Sequence, residues 1–250
     1  MVLLRGLGTI VNMGAILIGG TAGLLAGKKV SEAMRSTVMQ ALALAVFLIG
    51  VGGALSAGFV IEEGAISTRH TIMVIASLVI GGVIGQLIDI EKRLENLGNA
   101  IQAKIGGKNP GSQGFASGFV GASLVYCVGA MAIVGSLNDG LSGNYELLFT
   151  KAILDGISAV VFAATLGYGV VFSAFSVGLY QGLITVLAAF LSPVLTQTVI
   201  EQMSVTGSLL IVGISINLLG MAKIKVGNML PALLVPPVWY GITCLIPVLG

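Results

Sequence analysis

Few side chains in this sequence can do chemistry, and the densest group of them lies in one stretch, YCVGAMAIVGSLNDGLSGNYELLFTKAILDGIS at 126–158. Lys151 and Asp155 stand four residues apart, the spacing that lets a cation and a carboxylate pair on one helix face. Asn138 and Asp139 precede them at a Gly-broken turn, and Asp139 is expected at the mouth of a cavity shared with the pair. The apolar surroundings give these groups their meaning. A polar or charged side chain at membrane depth is costly unless paired or wetted, and so marks a passage for solute or ion. A plainer reading makes Asn138, Asp139 and Gly140 an external turn and lets the Lys151 stem carry its charge to the interface.

Ser173, Ser176, Tyr180, Gln181 and Thr185 fall in one apolar span, and Ser215 and Asn217 in another. Helical spacing puts Ser173, Ser176 and Tyr180 near one face, with Gln181 and Thr185 beside it. Such a stripe either lines an aqueous route or bonds helices together, each contact then contributing about 0.6 kcal/mol. Asn12 and Gln86 add one amide each to two earlier spans. In VGNMLPALLVPPVW, Pro231, Pro236 and Pro237 follow Gly227 and Asn228. Proline removes backbone donors, and carbonyls freed in a broken helix coordinate a cation or substrate where they line a cavity. Proline is also common in membrane helices for packing alone. The candidate pathway residues are Asn138, Asp139, Lys151, Asp155, Tyr180, Gln181, Asn217 and Asn228.

The elements that must hold these residues follow from composition. Of 250 residues, 56% are hydrophobic and 9% charged, against about a quarter charged in a soluble domain. With a window of about 19 residues, apolar spans fall at 7–26, 38–57, 71–90, 115–136, 150–167, 170–191, 204–220 and 228–248. The fold class is an all-α polytopic membrane bundle of about eight helices, one transmembrane domain over 1–250. Gly167 and Gly169 separate two spans with almost no loop, so one long tilted or broken helix over 150–191, and seven crossings, is the alternative. Cytoplasmic loops collect Lys and Arg. Lys28, Lys29 and Arg35 follow the first span, Lys92, Arg93, Lys104 and Lys108 the third, and Lys223 and Lys225 the seventh, which sets both termini outward. Arg5 before an apolar run invites a signal-peptide reading, but Lys28 and Lys29 after the run favour a retained span.

Glycine supplies 37 residues. In a bilayer, small residues let helix backbones approach, and GxxxG spacing at Gly19 and Gly23 and at Gly81 and Gly85, with Gly114, Gly118 and Gly121, predicts close packing within the chain or across a homo-oligomer. IGGTAGLL at 18–25 resembles IGGVIGQL at 80–87. This suggests repeat units at 7–57 and 71–136, with a fainter, inverted copy at 183–219, unless Gly-rich composition alone produces the likeness. Between spans, Val30, Met34 and Val38, and Leu94, Leu97 and Ile101, recur at helical spacing. These connectors either lie on anionic lipid head groups or are plain linkers.

Other classes are disfavoured. Cys127 and Cys244 sit in apolar runs as packing residues, and His70 has no Cys or His companions at metal-ligand spacing. No cofactor is expected. Walker, Gly-x-Ser-x-Gly and HExxH motifs are absent, no nucleophile and base stand together, and basic residues cluster between spans instead of forming a nucleic-acid surface. The chain is read as no enzyme and no nucleic-acid binder.

The motifs CVGAMAIVGSLNDGLSGNYELLFTKAILDG, YQGLITVLA and INLLGMAKIKVGNMLPALL, with the opening GTIVNMGAILIGGTAGLL, resemble a bacterial family of integral membrane proteins catalogued as domain-of-unknown-function number 554. The resemblance covers the whole chain and implies a bacterial inner-membrane location and a transport role, with no substrate or site residues. The expected function is a homo-oligomeric secondary transporter or channel for a small solute or ion. The alternative is a non-transporting membrane protein that organises lipids or partner proteins through its basic connectors.

Overall fold

Hydrocarbon offers no partner to a bare peptide group, so apolar runs of this length close their backbone bonds inside helices. The computed structural model describes residues 5–27, 32–62, 65–93, 96, 115–127 and 130–245. Helices α1 (Leu7–Gly27), α2 (Glu32–Gly58) and α3 (Thr71–Ile88) come first, with strands β1 (Phe59–Glu62) and β2 (Ala65–Thr68) between the last two. Then follow α4 (Phe115–Cys127), α5 (Ala130–Ser142), α6 (Glu146–Leu166), α7 (Tyr168–Val186), the short α8 (Ala188–Leu191) and α9 (Gln197–Leu218). A 3-10 segment (Val226–Leu234) leads into α10 (Val235–Leu245). Large apolar side chains point outward as a lipid-facing surface requires, with Ile72 at 85%, Leu87 at 83% and Val186 at 80% exposure.

Among the described residues, six helices, α1, α2, α3, α6, α7 and α9, are long and apolar enough to cross a bilayer, and α4 with α5 form a pair bent by 61° that brings the total to seven if it is one broken span and leaves it at six if it is a re-entrant loop. The chain is thus an all-α, multi-pass membrane bundle. The stretch 150–191 resolves into two helices, because Gly167 takes φ 79° and ends α6 before α7 begins. The span expected at 228–248 is instead broken: Pro231 lies inside the 3-10 segment, and α10 has 11 residues, about 16 Å against a hydrocarbon core of about 30 Å. Pro236 and Pro237 open α10, where a missing N–H costs nothing. The hairpin was not expected from the sequence. Its β-branched Val60, Ile61 and Ile66 suit a strand, with Ile61 paired to Ile66. The connector and loop residues Lys28, Lys29, Val30, Leu94, Leu97, Ile101, Lys104, Lys108 and Gly114 lie outside the described residues.

Glycines set the helix spacing. Added Cβ atoms at Gly19, Gly23 and Gly27 would collide with the backbone carbonyls of Gly156, Val160 and Ala164, so α1 lies parallel to α6 in near backbone contact. On another face, Gly20 meets Val171 and Met13 meets Gly178, which runs α7 antiparallel to α1. Gly81 and Gly85 receive the backbone of Ala232 and Asn228, seating the 3-10 segment on α3. The two similar runs therefore do the same physical work against different partners. Their stripes are filled within the chain and do not call for a second copy. Helix α9 packs on α2, where Ser215 Oγ donates to the Ala43 carbonyl at 2.8 Å. Near the start of α3, His70 Nε2 meets Glu201 Oε2 of α9 at 3.1 Å.

Gly23→Val is expected to lower thermal stability in detergent sharply, since the Val160 carbonyl cannot move aside without breaking α6. Gly14→Ala, where nothing lies within 4 Å, is expected to be neutral or to stabilise by up to about 1 kcal/mol. Equal melting temperatures for the two variants would contradict this packing.

Candidate functional site

The backbone contact between α1 and α6 has a chemical result: it carries Asn12 to the charge pair. Lys151 Nζ lies 2.8 Å from Asp155 Oδ1 and 2.6 Å from Oδ2, and both side chains are buried at 6% exposure. Asn12 Nδ2 of α1 donates to Asp155 Oδ2 at 3.0 Å and to Gln181 Oε1 of α7 at 3.3 Å. Tyr126 of α4 places its ring 6.0 Å from Lys151 Nζ and stacks on Phe162. Four helices thus converge on one ion pair. By helical rise, Asn12 and Asp155 lie about 8 and 14 Å along helices about 31 Å long.

Burying an ion pair is favourable only where further hydrogen bonds complete it, and here completion is partial. Asn12 Oδ1 and Gln181 Nε2 have no partner although both residues are fully buried. An acceptor and a donor therefore stand free beside a cation and an anion. A cavity of about 250 Å³, bordered by α7 through Ser176 and Tyr180 and by α4 through Ser123 and Cys127, is otherwise lined by apolar side chains from Ile90 to Leu233. Ser123 Oγ is also unpartnered.

The sequence-selected residues separate into distinct groups. Lys151, Asp155 and Gln181 meet at the cluster, and Tyr180 with Ser176 lines the cavity. Asp139 is fully buried and accepts the Gly6 N–H at 3.0 Å, whereas Asn138 is exposed and stands apart. The turn expected at Asn138–Gly140 is helical, for α5 runs on to Ser142 and the chain turns at Gly143, with φ 72°. Asn217 stitches a loop, donating to the Ile224 carbonyl at 2.7 Å and accepting its N–H at 2.8 Å. Asn228 latches the 3-10 segment to α3, accepting the Glu91 N–H at 2.7 Å and donating to Gln86 Oε1 at 3.1 Å. Both asparagines satisfy backbone that helix breaks leave open. Thr185 bonds helices, donating to the Ser136 carbonyl at 3.2 Å, and Ser173 donates within its own helix at 2.6 Å. Asn12 belongs to the cluster although it was no more than a stray amide in the sequence; a lone Asn inside an apolar run was the signal.

Lys151→Met should destabilise the protein by about 3 kcal/mol or more, because it leaves Asp155 buried without its cation. The double variant Lys151→Met/Asp155→Leu should lose less than Lys151→Met alone. Unfolding in detergent measures these two and the single variant Asp155→Leu, and a double loss equal to the sum of the two single losses would remove the pair as an energetic unit.

Residues 7–241 match a family described as Protein of unknown function (DUF554). The chain is 31% identical over 231 residues to the "Uncharacterized membrane protein YdfK" of Bacillus subtilis (strain 168), covering 92% of this chain and 94% of that one. It is 27% identical over 230 residues to the "Uncharacterized protein YqgA" of Escherichia coli (strain K12), covering 91% and 93%. No solved structure matches. A match that takes in every helix of the charge cluster and the segments latched around it makes this chain a member of the DUF554 family.

Proposed function

We propose that this protein is a secondary transporter or channel that moves a small solute or ion across a bacterial inner membrane through the Asn12–Lys151–Asp155–Gln181 cluster. The observation that carries the reading is the unfilled hydrogen-bonding capacity of Asn12 Oδ1 and Gln181 Nε2 beside a buried ion pair. A purely structural network closes such atoms, since each buried group left open is costly. A binding site leaves them for its ligand. A zwitterion can engage Lys151 with its anionic group and Asp155 with its cationic group, and a small ion can add to the closed pair through Gln181 Nε2 or Asn12 Oδ1, so that neither protein charge is left alone in the low-dielectric interior. The cavity between α4 and α7, with Ser123, Ser176 and Tyr180 on its wall, supports a second stretch of route. The helical architecture supports an inner-membrane seat, because bacterial outer-membrane spans are barrels.

Purified protein in liposomes, assayed for flux of sodium, potassium, protons, chloride and small carboxylic and amino acids, tests the reading. At least one flux is expected, and Asp155→Asn should lower it about tenfold or more, which a barrier change of about 1.4 kcal/mol suffices to produce. Thr150→Ala, on the exposed face of α6, should leave it unchanged. No flux of any of these, or a flux indifferent to Asp155→Asn, would remove the assignment.

A further inference from the structure

Open polar atoms continue from the charge cluster toward the end of the bundle where α1 begins. Asp139 is fully buried; its Oδ1 accepts the Gly6 N–H at 3.0 Å, while Oδ2 meets no donor. Ser136, one turn earlier on α5 and also fully buried, has an unpartnered hydroxyl. So does Thr9, one turn beyond Gly6 on α1 and 5% exposed. The Thr185 bond to the Ser136 carbonyl brings α7 against the same turn. Three buried oxygens without partners thus stand on adjoining turns of α1 and α5, and oxygen is the ligand that hard cations take.

Charge decides which cation. Lys151 and Asp155 neutralise one another. Helices α1, α7 and α8 contain no Lys, Arg, Asp or Glu, and α4 and α7 bring only Tyr126, Cys127, Tyr168 and Tyr180 as titratable groups. Arg5 and Glu146, nearest in the chain and on α6, are exposed. No salt bridge reaches Asp139 among the described residues. A single carboxylate balances a single positive charge. A divalent ion would need more anionic ligands, and no group of three His, Cys, Asp or Glu stands together among the described residues.

We propose that Asp139 Oδ2, Ser136 Oγ and Thr9 Oγ1 form a binding site for a monovalent alkali cation, stacked above the Lys151–Asp155 cluster. The proposal rests on the transport reading for its role, which is to supply the coupling or carried ion. Thr9 lies three residues before Asn12, about 4.5 Å along α1, so a cation leaving Asp139 next meets the free Asn12 Oδ1 and then the Asp155 carboxylate.

Equilibrium binding of radioactive sodium to the purified full chain in choline chloride tests the site. One saturable site per chain is expected, abolished by Asp139→Asn, weakened about tenfold or more by Thr9→Val and preserved by Thr9→Ser, which keeps the hydroxyl. Sodium should raise the melting temperature of the native chain relative to choline and leave that of Asp139→Asn unmoved. Absence of saturable binding, binding indifferent to Asp139→Asn, equal binding by Thr9→Val and Thr9→Ser, or a preference for calcium over sodium would each overturn it. Should Asp139→Asn fail to fold, the two Thr9 variants decide alone. Sodium binding without flux in liposomes would remove the transport reading and leave the site, whereas flux without sodium binding would remove only the site.

Discussion

A lysine and an aspartate held within 2.6 Å of one another inside a lipid-facing helix bundle impose the constraint from which the rest of the structure follows. Neither charge is tolerable there alone. Pairing on one helix meets the first demand, and it needs only the i,i+4 spacing of α6. The second demand is for a further hydrogen bond to the carboxylate, and it comes from 143 residues away, through Asn12. An amide reaches that far only if α1 lies almost against α6. Three glycines spaced four apart, meeting three successive turns of α6, provide that approach. Glycine-rich packing and the polar cluster are one design: the first sets an interaxial distance that the second requires.

Two polar networks in this bundle look alike in sequence and differ in what they leave open. Around Asn228, amide, carboxylate and peptide groups are matched, with Glu91 Oε2 accepting the Gly227 N–H at 3.2 Å. That network holds a broken segment onto α3 and has nothing to offer a ligand. Around Asn12 and Gln181, donor and acceptor capacity is unspent. Hydrogen-bond satisfaction, more than polarity or depth, separates a structural joint from a site.

That distinction explains what was legible beforehand. The Lys151–Asp155 pair and the break at Gly167 are local matters of spacing and glycine, and both were readable from the chain. So was the use of GxxxG stripes, although whether they served one chain or several depended on partners no local pattern names. Asn217 and Asn228 looked like pathway groups because an isolated amide in an apolar run carries no mark of whether a nearby backbone break will claim it. Asp139 looked like a turn residue because Asn-Asp-Gly is a turn signal, yet α5 continues through it and turns at Gly143, so the carboxylate is carried inside. Asn12 carries no local mark of its role, because its importance lies wholly in long-range contacts. The last apolar run departs from a full span because Pro231 interrupts the helix that hydropathy alone would draw.

A pathway through the Asn12–Lys151–Asp155–Gln181 cluster requires water to reach the cavity that α4 and α7 line. Cys127, on the wall of the cavity, reports on this without any foreign residue, and Cys244→Ser removes the other thiol. Alkylation by a water-soluble, membrane-impermeant maleimide, followed by mass spectrometry on protein folded in liposomes, is the decisive measurement. Modification of Cys127 in the intact bundle is the predicted result. A thiol that reacts with a lipid-soluble maleimide but stays inert to the impermeant one until the protein is unfolded would show a dry interior, and would contradict the account.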